Sequence, residues 1–103
     1  MFGTVGDLRF DPANRQQLEK EVEDDAYLGV DGYRWGQVLF DESDPGHAVI
    51  VAVFDDRETY FKNADDPEQD ERYRRMRALL KRDPTWTDGE WSVGPARNGP
   101  PRS

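Results

Sequence analysis

The segment from His47 to Phe54 contains the longest apolar run of the chain, seven residues from Ala48 onward. Its short length and its β-branched residues predict a strand. Because successive side chains of a strand point to opposite faces, an unbroken apolar run predicts a strand that is buried on both faces. Any fold for this chain must therefore cover both faces of the sheet that contains residues 47–54.

Three other segments are also typical of strands, because they mix aromatic and β-branched residues with polar ones between turn formers. The predicted strands are residues 2–10, 33–40, 47–54 and 85–93. A dense cluster of turn formers at residues 41–46 predicts a hairpin loop between the second strand and the third.

Two Asp-Pro pairs, at residues 11–12 and 66–67, predict the starts of helices. Asp caps the free N–H groups of a first turn, and proline is favoured at the first helical position. The second of these helices follows a short helical piece at residues 57–63 and should end near Pro84, because a residue before proline disfavours the helical conformation. The first helix is expected to carry its apolar stripe at Leu18, Val22 and Ala26.

The resulting order of elements, strand–helix–strand–strand–helix–strand, predicts an α+β fold of the ferredoxin-like βαββαβ type. Its helices would lie on one face of a four-stranded antiparallel sheet. Such a domain leaves its other sheet face open, whereas the strand at residues 47–54 requires a cover on both faces. None of the remaining segments of these 103 residues can supply that cover. We therefore expect a homodimer that forms through the open sheet face.

Composition restricts the class of protein further. The chain has a net charge of −8 and no cysteine. Its length allows one domain, predicted at residues 1–93, and the proline-rich residues 94–103 are expected to form a flexible tail. The acidic balance argues against nucleic-acid binding, and the apolar runs are too short to cross a membrane. The absence of cysteine excludes thiolate zinc sites and cysteine nucleophiles, and it favours a cytoplasmic location.

Several blocks of the sequence resemble a known family. They are residues 2–5, residues 49–54, the block from Tyr60 to Asp70, and the stretch from Leu79 to Trp91. Together they resemble small actinobacterial proteins of the dimeric α+β barrel superfamily, close to the antibiotic biosynthesis monooxygenase group. The resemblance implies two ferredoxin-like protomers whose sheets face each other to close a barrel. Members of the superfamily include cofactor-independent oxygenases, haem-degrading enzymes and isomerases.

In this architecture the usual ligand site lies in the cleft between the sheet and the helices. Aromatic side chains that carry a hydroxyl or an indole N–H suit a flat polycyclic ligand there. The candidate ligand-binding residues are Tyr33, Trp35, Tyr60 and Trp86. The alternative is that the same side chains are packed in the core or in the dimer interface.

Asn63 and Tyr73 are the candidate catalytic residues. The cofactor-independent oxygenases of the group resemble one another in placing an asparagine on the second helical segment, with a tryptophan one turn later. Asn63 lies in roughly that region, but no tryptophan occurs between residues 36 and 85. The Asn63 amide, or a tyrosine hydroxyl such as that of Tyr73, could stabilise an enolate or peroxy intermediate. Alternatively, Asn63 is a residue that ends a helix.

The other polar residues are predicted to be structural. His47, the only histidine, is expected at the surface or in an interface, and no metal or cofactor is expected. Charges within the predicted strands, Asp7, Arg9 and Arg34, should either pair across strands or point into a cavity.

The only basic cluster, residues 72–82, is expected to be a solvated face. Acidic residues precede its arginines by four positions, an arrangement that stabilises a helix by roughly 0.2–0.5 kcal/mol per pair. The predicted pairs are Glu68–Arg72, Asp70–Arg74 and Glu71–Arg75.

Two functions remain open at this point. The first is a monooxygenase-like enzyme that acts on an aromatic small molecule without a cofactor. The second is a homodimeric module that binds a small ligand, or only assembles, and has no catalytic activity.

Overall fold

The computed structural model describes residues 1–95 and 97, and it has the predicted α+β architecture. The strands are β1 (Phe2–Arg9), β2 (Tyr33–Phe40), β3 (His47–Phe54) and β4 (Thr85–Glu90), and the helices are α1 (Arg15–Val22), α2 (Arg57–Ala64) and α3 (Pro67–Arg77). Short 3-10 turns at Pro12–Asn14 and Asp25–Gly29 lie on either side of α1. Most of the predicted tail, residues 96 and 98–103, lies outside the described residues.

The four strands form one antiparallel sheet in the order β2-β3-β1-β4. At the centre of the sheet, Gly6 of β1 lies opposite Ile50 of β3 on one side and opposite Trp86 of β4 on the other. This strand order confirms the predicted ferredoxin-like fold. Among the helices that the structure describes, none combines the length and the apolar character needed to cross a bilayer.

The predicted Asp-Pro starts are confirmed as capping sites. Oδ1 of Asp11 accepts a hydrogen bond from the backbone N–H of Ala13 at 2.9 Å, and Oδ1 of Asp66 accepts one from that of Glu68 at 2.8 Å. The second cap begins α3 directly, whereas the first begins the 3-10 turn that leads into α1. Both carboxylates satisfy N–H groups that the first turn leaves free.

The predicted apolar stripe of α1 is wrong at Ala26. Leu18 is fully buried, but the helix ends at Val22 and Ala26 is exposed in the following 3-10 turn. The cause is Asp24, whose Oδ1 accepts a hydrogen bond from the Ala26 N–H at 2.9 Å and so caps a new turn.

The hydrophobic core lies between the helices and one face of the sheet. Its fully or nearly fully buried members come from β1, α1, β3 and the segment after α3: Leu8, Phe10, Leu18, Ala48 and Leu80. Phe10 extends β1 by a single bridge to Leu80, which ties the end of α3 to the sheet.

The opposite face of the sheet, called the open face here, carries Val5, Trp35, Leu39, Val49, Val51, Val53 and Trp91. Trp35 lies opposite Val53 in the register, and Trp91 lies against Gly3, so that Val53 and Gly3 are buried. The rest of the face is more accessible. Leu39 is 70% exposed, and Val49 and Val51 of β3 are only partly buried. Within the single chain, β3 is therefore covered by helices on one face only.

Candidate functional site

A cavity of about 370 Å³ lies between the sheet and the helices, and it is called the sheet–helix cavity here. Six of its lining residues are aromatic. Neighbouring rings form a continuous surface, because the ring centroids of Tyr27 and Tyr33, of Tyr33 and Phe54, and of Phe54 and Tyr60 lie 5.4, 5.8 and 5.5 Å apart. Cavities of this size that expose aromatic surface are typical sites for small, flat ligands.

Five of the six candidate site residues line this cavity: Tyr33, Tyr60, Asn63, Tyr73 and Trp86. The sixth, Trp35, is not part of its wall. The register of β2 shifts between Tyr33 and Trp35, so that Tyr33 lies opposite Phe54 and Trp35 lies opposite Val53. Because Val53 belongs to the open face, Trp35 faces away from the cavity, and its predicted position in the cavity wall is wrong.

Trp86 lines the cavity on its β4 side and packs against a glycine of β1. A Cβ atom added at Gly6 would lie 2.7 Å from Cε3 of Trp86 and 2.9 Å from Cγ2 of Ile50. Only a residue without a side chain allows the indole ring to approach the sheet this closely.

Tyr60 forms a hydrogen-bonded pair with Asp88 across the cavity. Its hydroxyl donates to Oδ1 of Asp88 at 2.9 Å. Burial of the hydroxyl, together with the Asp88 carboxylate, raises the pKa of Tyr60 to about 12. Tyr60 therefore remains protonated at neutral pH, and its donor is already used.

Asn63 and Tyr73 differ from Tyr60 in having polar groups that are not engaged. Both side chains are half-buried, and neither makes a side-chain hydrogen bond within residues 1–95 and 97. Asn63 occupies the last turn of α2, where its backbone carbonyl accepts hydrogen bonds from the N–H groups of Asp65 and Asp66. The helix ends one residue later, at Ala64, with Asp65 at its C-cap, and Asn63 also lines the cavity.

Sequence reasoning missed Arg72, which also lines the cavity. The predicted solvated pair of Glu68 with Arg72 is wrong, because Arg72 is only 8% exposed and lies on the inner face of α3. Its Nε donates to Oε1 of Gln69 at 3.1 Å, and its guanidinium carbon lies 4.9 Å from the ring centre of Tyr27. Arg72 precedes Met76 by four positions, so the two side chains lie on the same face of the helix. Because Met76 belongs to the apolar side, this spacing could have indicated the burial of Arg72.

The other two predicted pairs of the basic cluster have different outcomes. Nη2 of Arg74 pairs with Asp70 at 2.8 Å, as the sequence predicts. Arg75 instead contacts Glu21 of α1 at 3.2 Å, because the packing of α1 against α3 brings that carboxylate closer.

His47 lies outside the cavity, at the loop end of the sheet, and is more buried than the sequence suggested. Its side chain is 17% exposed because two carboxylates enclose it: Nδ1 lies 2.7 Å from Asp41 and Nε2 lies 2.8 Å from Asp7. The hydrogen bond with Asp41, followed by that with Asp7, raises the pKa of His47. The same contact with His47 is the main reason why the pKa of Asp41 falls to about 2.

The charges predicted within the strands all form pairs rather than pointing into the cavity. Asp7 pairs with His47, as described above. Arg9 forms an ion pair with Asp44. Nη1 of Arg34 lies 2.8 Å from Oδ1 of Asp55.

Known proteins were compared with the chain by sequence and by structure. No family model and no curated protein matches the sequence. The fold matches a candidate antibiotic biosynthesis monooxygenase from Deinococcus radiodurans with a TM-score of 0.73 and 22% identity, over 94% of this chain and 98% of that one. It also matches a conserved protein from Methanosarcina mazei Go1 with a TM-score of 0.76 and 11% identity, over 88% and 92% of the two chains.

A further match is SnoaB, a cofactor-independent oxygenase from Streptomyces nogalater. Its TM-score is 0.69 at 14% identity, over 89% of this chain and 95% of that one. A variant of SnoaB in which an asparagine is replaced by alanine matches with a TM-score of 0.68. The chain therefore has the fold of antibiotic biosynthesis monooxygenase-like proteins, which confirms the resemblance at the level of the fold.

Proposed function

We propose that this chain is a cofactor-independent, monooxygenase-like enzyme that acts on an aromatic small molecule bound in the sheet–helix cavity. The observation that carries the proposal is the combination of an aromatic wall with two unengaged polar side chains, Asn63 and Tyr73, at the same cavity. Such groups can stabilise a negative oxygen that develops on a bound aromatic ligand.

The proposed reaction suits an anthrone-like substrate, in which a methylene group is acidified by two rings and a conjugated carbonyl. Transfer of a methylene proton to a water molecule gives an enolate, whose oxygen the Asn63 amide and the Tyr73 hydroxyl would stabilise. The carbanionic carbon then adds O₂, and protonation gives a hydroperoxide. Loss of water from the hydroperoxide leaves a new carbonyl. The carbon gives up four electrons, and each oxygen atom of O₂ accepts two, so that no further oxidant or reductant is needed.

The similarity of the fold to SnoaB supports this proposal, because that protein is a cofactor-independent oxygenase. Identity to SnoaB is 14%, and a fold alone hosts many functions. The main support for the proposal is therefore the cavity with its side chains, together with the position of Asn63 in the last turn of α2.

Oxygen uptake with an anthrone is the test of the proposal. We expect the wild type to consume O₂, and both Asn63→Ala and Tyr73→Phe to lower kcat by about tenfold or more, since removal of one oxyanion donor commonly costs at least that much. Gln17→Ala is the control, because it removes an exposed amide of α1 that is outside the cavity. Anthrone binding without O₂ uptake would instead favour the non-catalytic, ligand-binding alternative.

We also propose that two copies of the chain pair through the open face. The support is the apolar character of that face, on which Leu39 is 70% exposed and the valines of β3 are incompletely covered. A second copy would bury both open faces in one two-fold interface and close a barrel. Light scattering provides the test: a particle of 11.9 kDa, the mass of one chain, would contradict the dimer.

A further inference from the structure

Arg72 is a buried cation that lacks a carboxylate partner in the described part of the chain. Its side chain lines the sheet–helix cavity, yet no Asp or Glu oxygen lies within the 4.0 Å that defines an ion pair. Its contacts are Gln69, through Nε, and Tyr27, through both the ring and the hydroxyl group. Arginine cannot lose its charge in a protein, so burial without a counter-ion is costly.

Three carboxylates line the same cavity, but each has a different partner. Glu21 contacts Arg75 at 3.2 Å, Asp70 contacts Arg74 at 2.8 Å, and Asp88 accepts a hydrogen bond from the Tyr60 hydroxyl at 2.9 Å. None of the three forms an ion pair with Arg72, so its positive charge has no carboxylate partner among the described residues.

The guanidinium group has more N–H donors than these contacts use. In the described part of the chain, two enclosed side-chain polar atoms have no hydrogen-bond partner, the indole nitrogens of Trp35 and Trp91. The two Nη atoms of Arg72 are not among them, so they are not fully enclosed. Arg72 lines the cavity, and 8% of its surface remains accessible. Its planar N–H fork is therefore available to a bound ligand.

We propose that Arg72 binds an anionic group of the cavity's ligand, and that the ligand is an aromatic carboxylate. This proposal rests on the proposed function, whose aromatic substrate it makes more specific. A carboxylate matches the planar fork of arginine with two parallel hydrogen bonds. A singly charged group also fits better than a phosphate, because Arg72 is the one cation among the described residues of the cavity wall and three carboxylates share that wall.

Calorimetric titration of the purified full chain with three probes tests the proposal. The probes are naphthalene-2-carboxylate, the neutral naphthalene-2-carboxamide, and acetate. We expect the wild type to bind the aromatic carboxylate about tenfold or more tightly than the carboxamide, because charge-assisted hydrogen bonds are stronger than neutral ones. Acetate, which has the charge but no ring, should bind much more weakly than either.

Two variants of Arg72 and one control separate charge from geometry. Arg72→Met should abolish the preference for the carboxylate, so that it binds the two naphthalene probes about equally, and Arg72→Lys should retain only part of the preference, because lysine lacks the planar fork. Arg82→Met is the control, since it removes the same charge from an exposed position outside the cavity wall. We also expect the melting temperature of Arg72→Met to equal or exceed that of the wild type, because an unpaired buried charge is removed.

The outcomes distinguish this proposal from the proposed function. Equal binding of both naphthalene probes by the wild type, or a carboxylate preference that survives in Arg72→Met, overturns the role of Arg72 and leaves the aromatic cavity intact. Failure of both naphthalene probes to bind overturns the assignment of an aromatic carboxylate, whereas O₂ uptake with the anthrone decides the proposed function independently. Acetate that binds as tightly as naphthalene-2-carboxylate overturns the aromatic part of the assignment. The comparison of probes on the wild type needs no variant and holds even if Arg72→Met fails to fold.

Discussion

Trp86 and Gly6 lie opposite each other in adjacent strands, and the indole ring of Trp86 occupies the space that a side chain at Gly6 would need. One glycine in the central strand thereby sets the position of one wall of the sheet–helix cavity.

Substitution of Gly6 by alanine is expected to displace Trp86 and to narrow the cavity. The new Cβ would lie 2.7 Å from Cε3 of Trp86 and 2.9 Å from Cγ2 of Ile50, so that one of these groups must move. We expect a loss of stability of about 1–3 kcal/mol and weaker binding of naphthalene-2-carboxamide. Urea unfolding and calorimetry measure the two effects.

Gly29→Ala is the matched control for that substitution, because no atom lies within 4 Å of the position that its Cβ would take. We expect its stability and ligand affinity to stay close to those of the wild type. Equal losses in Gly6→Ala and Gly29→Ala would contradict the steric explanation.

Truncation of Leu18 should test the packing of α1 against the sheet. Leu18 is fully buried, so Leu18→Ala is expected to lower the free energy of unfolding by about 2–5 kcal/mol. Leu28→Ala removes the same atoms from a side chain that is 78% exposed, and it should change stability by less than about 0.5 kcal/mol. Urea denaturation of both variants measures the contrast, which would vanish if α1 were not docked.

The stability of the protein is expected to fall as the pH rises above 6.5, because of His47. Asp41 and Asp7 raise the pKa of His47 above its ordinary value of 6.5, and burial of the imidazole and the charge of Arg9 oppose them more weakly. A group whose pKa is raised by folding stabilises the native state below its unfolded pKa, and that contribution is lost as the pH passes through the folded pKa. Melting temperatures measured between about pH 6 and about pH 9 should therefore decline.

His47→Gln isolates this titration from the other ionisable groups. The variant keeps a hydrogen-bonding side chain between Asp7 and Asp41 but cannot carry a charge. Its melting temperature should be lower than that of the wild type at about pH 6 and should change less with increasing pH. A decline as steep as in the wild type would show that another group is responsible.

A charge placed on the open face should prevent the proposed pairing of two copies. Leu39→Glu replaces an exposed apolar side chain of that face with a carboxylate, which a two-fold interface would have to bury. We expect the variant to scatter light as a single chain. Leu28→Glu, at an exposed site away from the sheet, should leave the mass of the assembly unchanged, and a Leu39→Glu protein that remains dimeric would exclude this face as the interface.

Much of the fold could be predicted from short-range signals. The bounds of β2 and β3 follow from the apolar segments and the turn formers between them, and the capping roles of Asp11 and Asp66 follow from the Asp-Pro pairs. These signals act within a few residues of the chain, so the sequence records them directly.

The misjudged positions depend on long-range packing. Arg72 belongs to an apparently solvated basic segment, and only the docking of α3 against Tyr27 buries it. Trp35 faces away from the cavity because the register of β2 shifts by one residue next to Tyr33, and such a shift moves a side chain to the other face. His47 is enclosed by carboxylates that are 6 and 40 positions away in sequence.

The sheet also divides the three tryptophans of the chain into two optical classes. Trp86 lies in the cavity wall, whereas Trp35 and Trp91 lie on the open face, where their indole N–H groups are enclosed without an acceptor in the part of the chain that the structure describes. Fluorescence from Trp86 should therefore respond to ligand occupancy, and fluorescence from the other two to self-association. With Trp86→Phe in one sample and Trp35 and Trp91 both replaced by Phe in another, the two processes become separately visible without any added label.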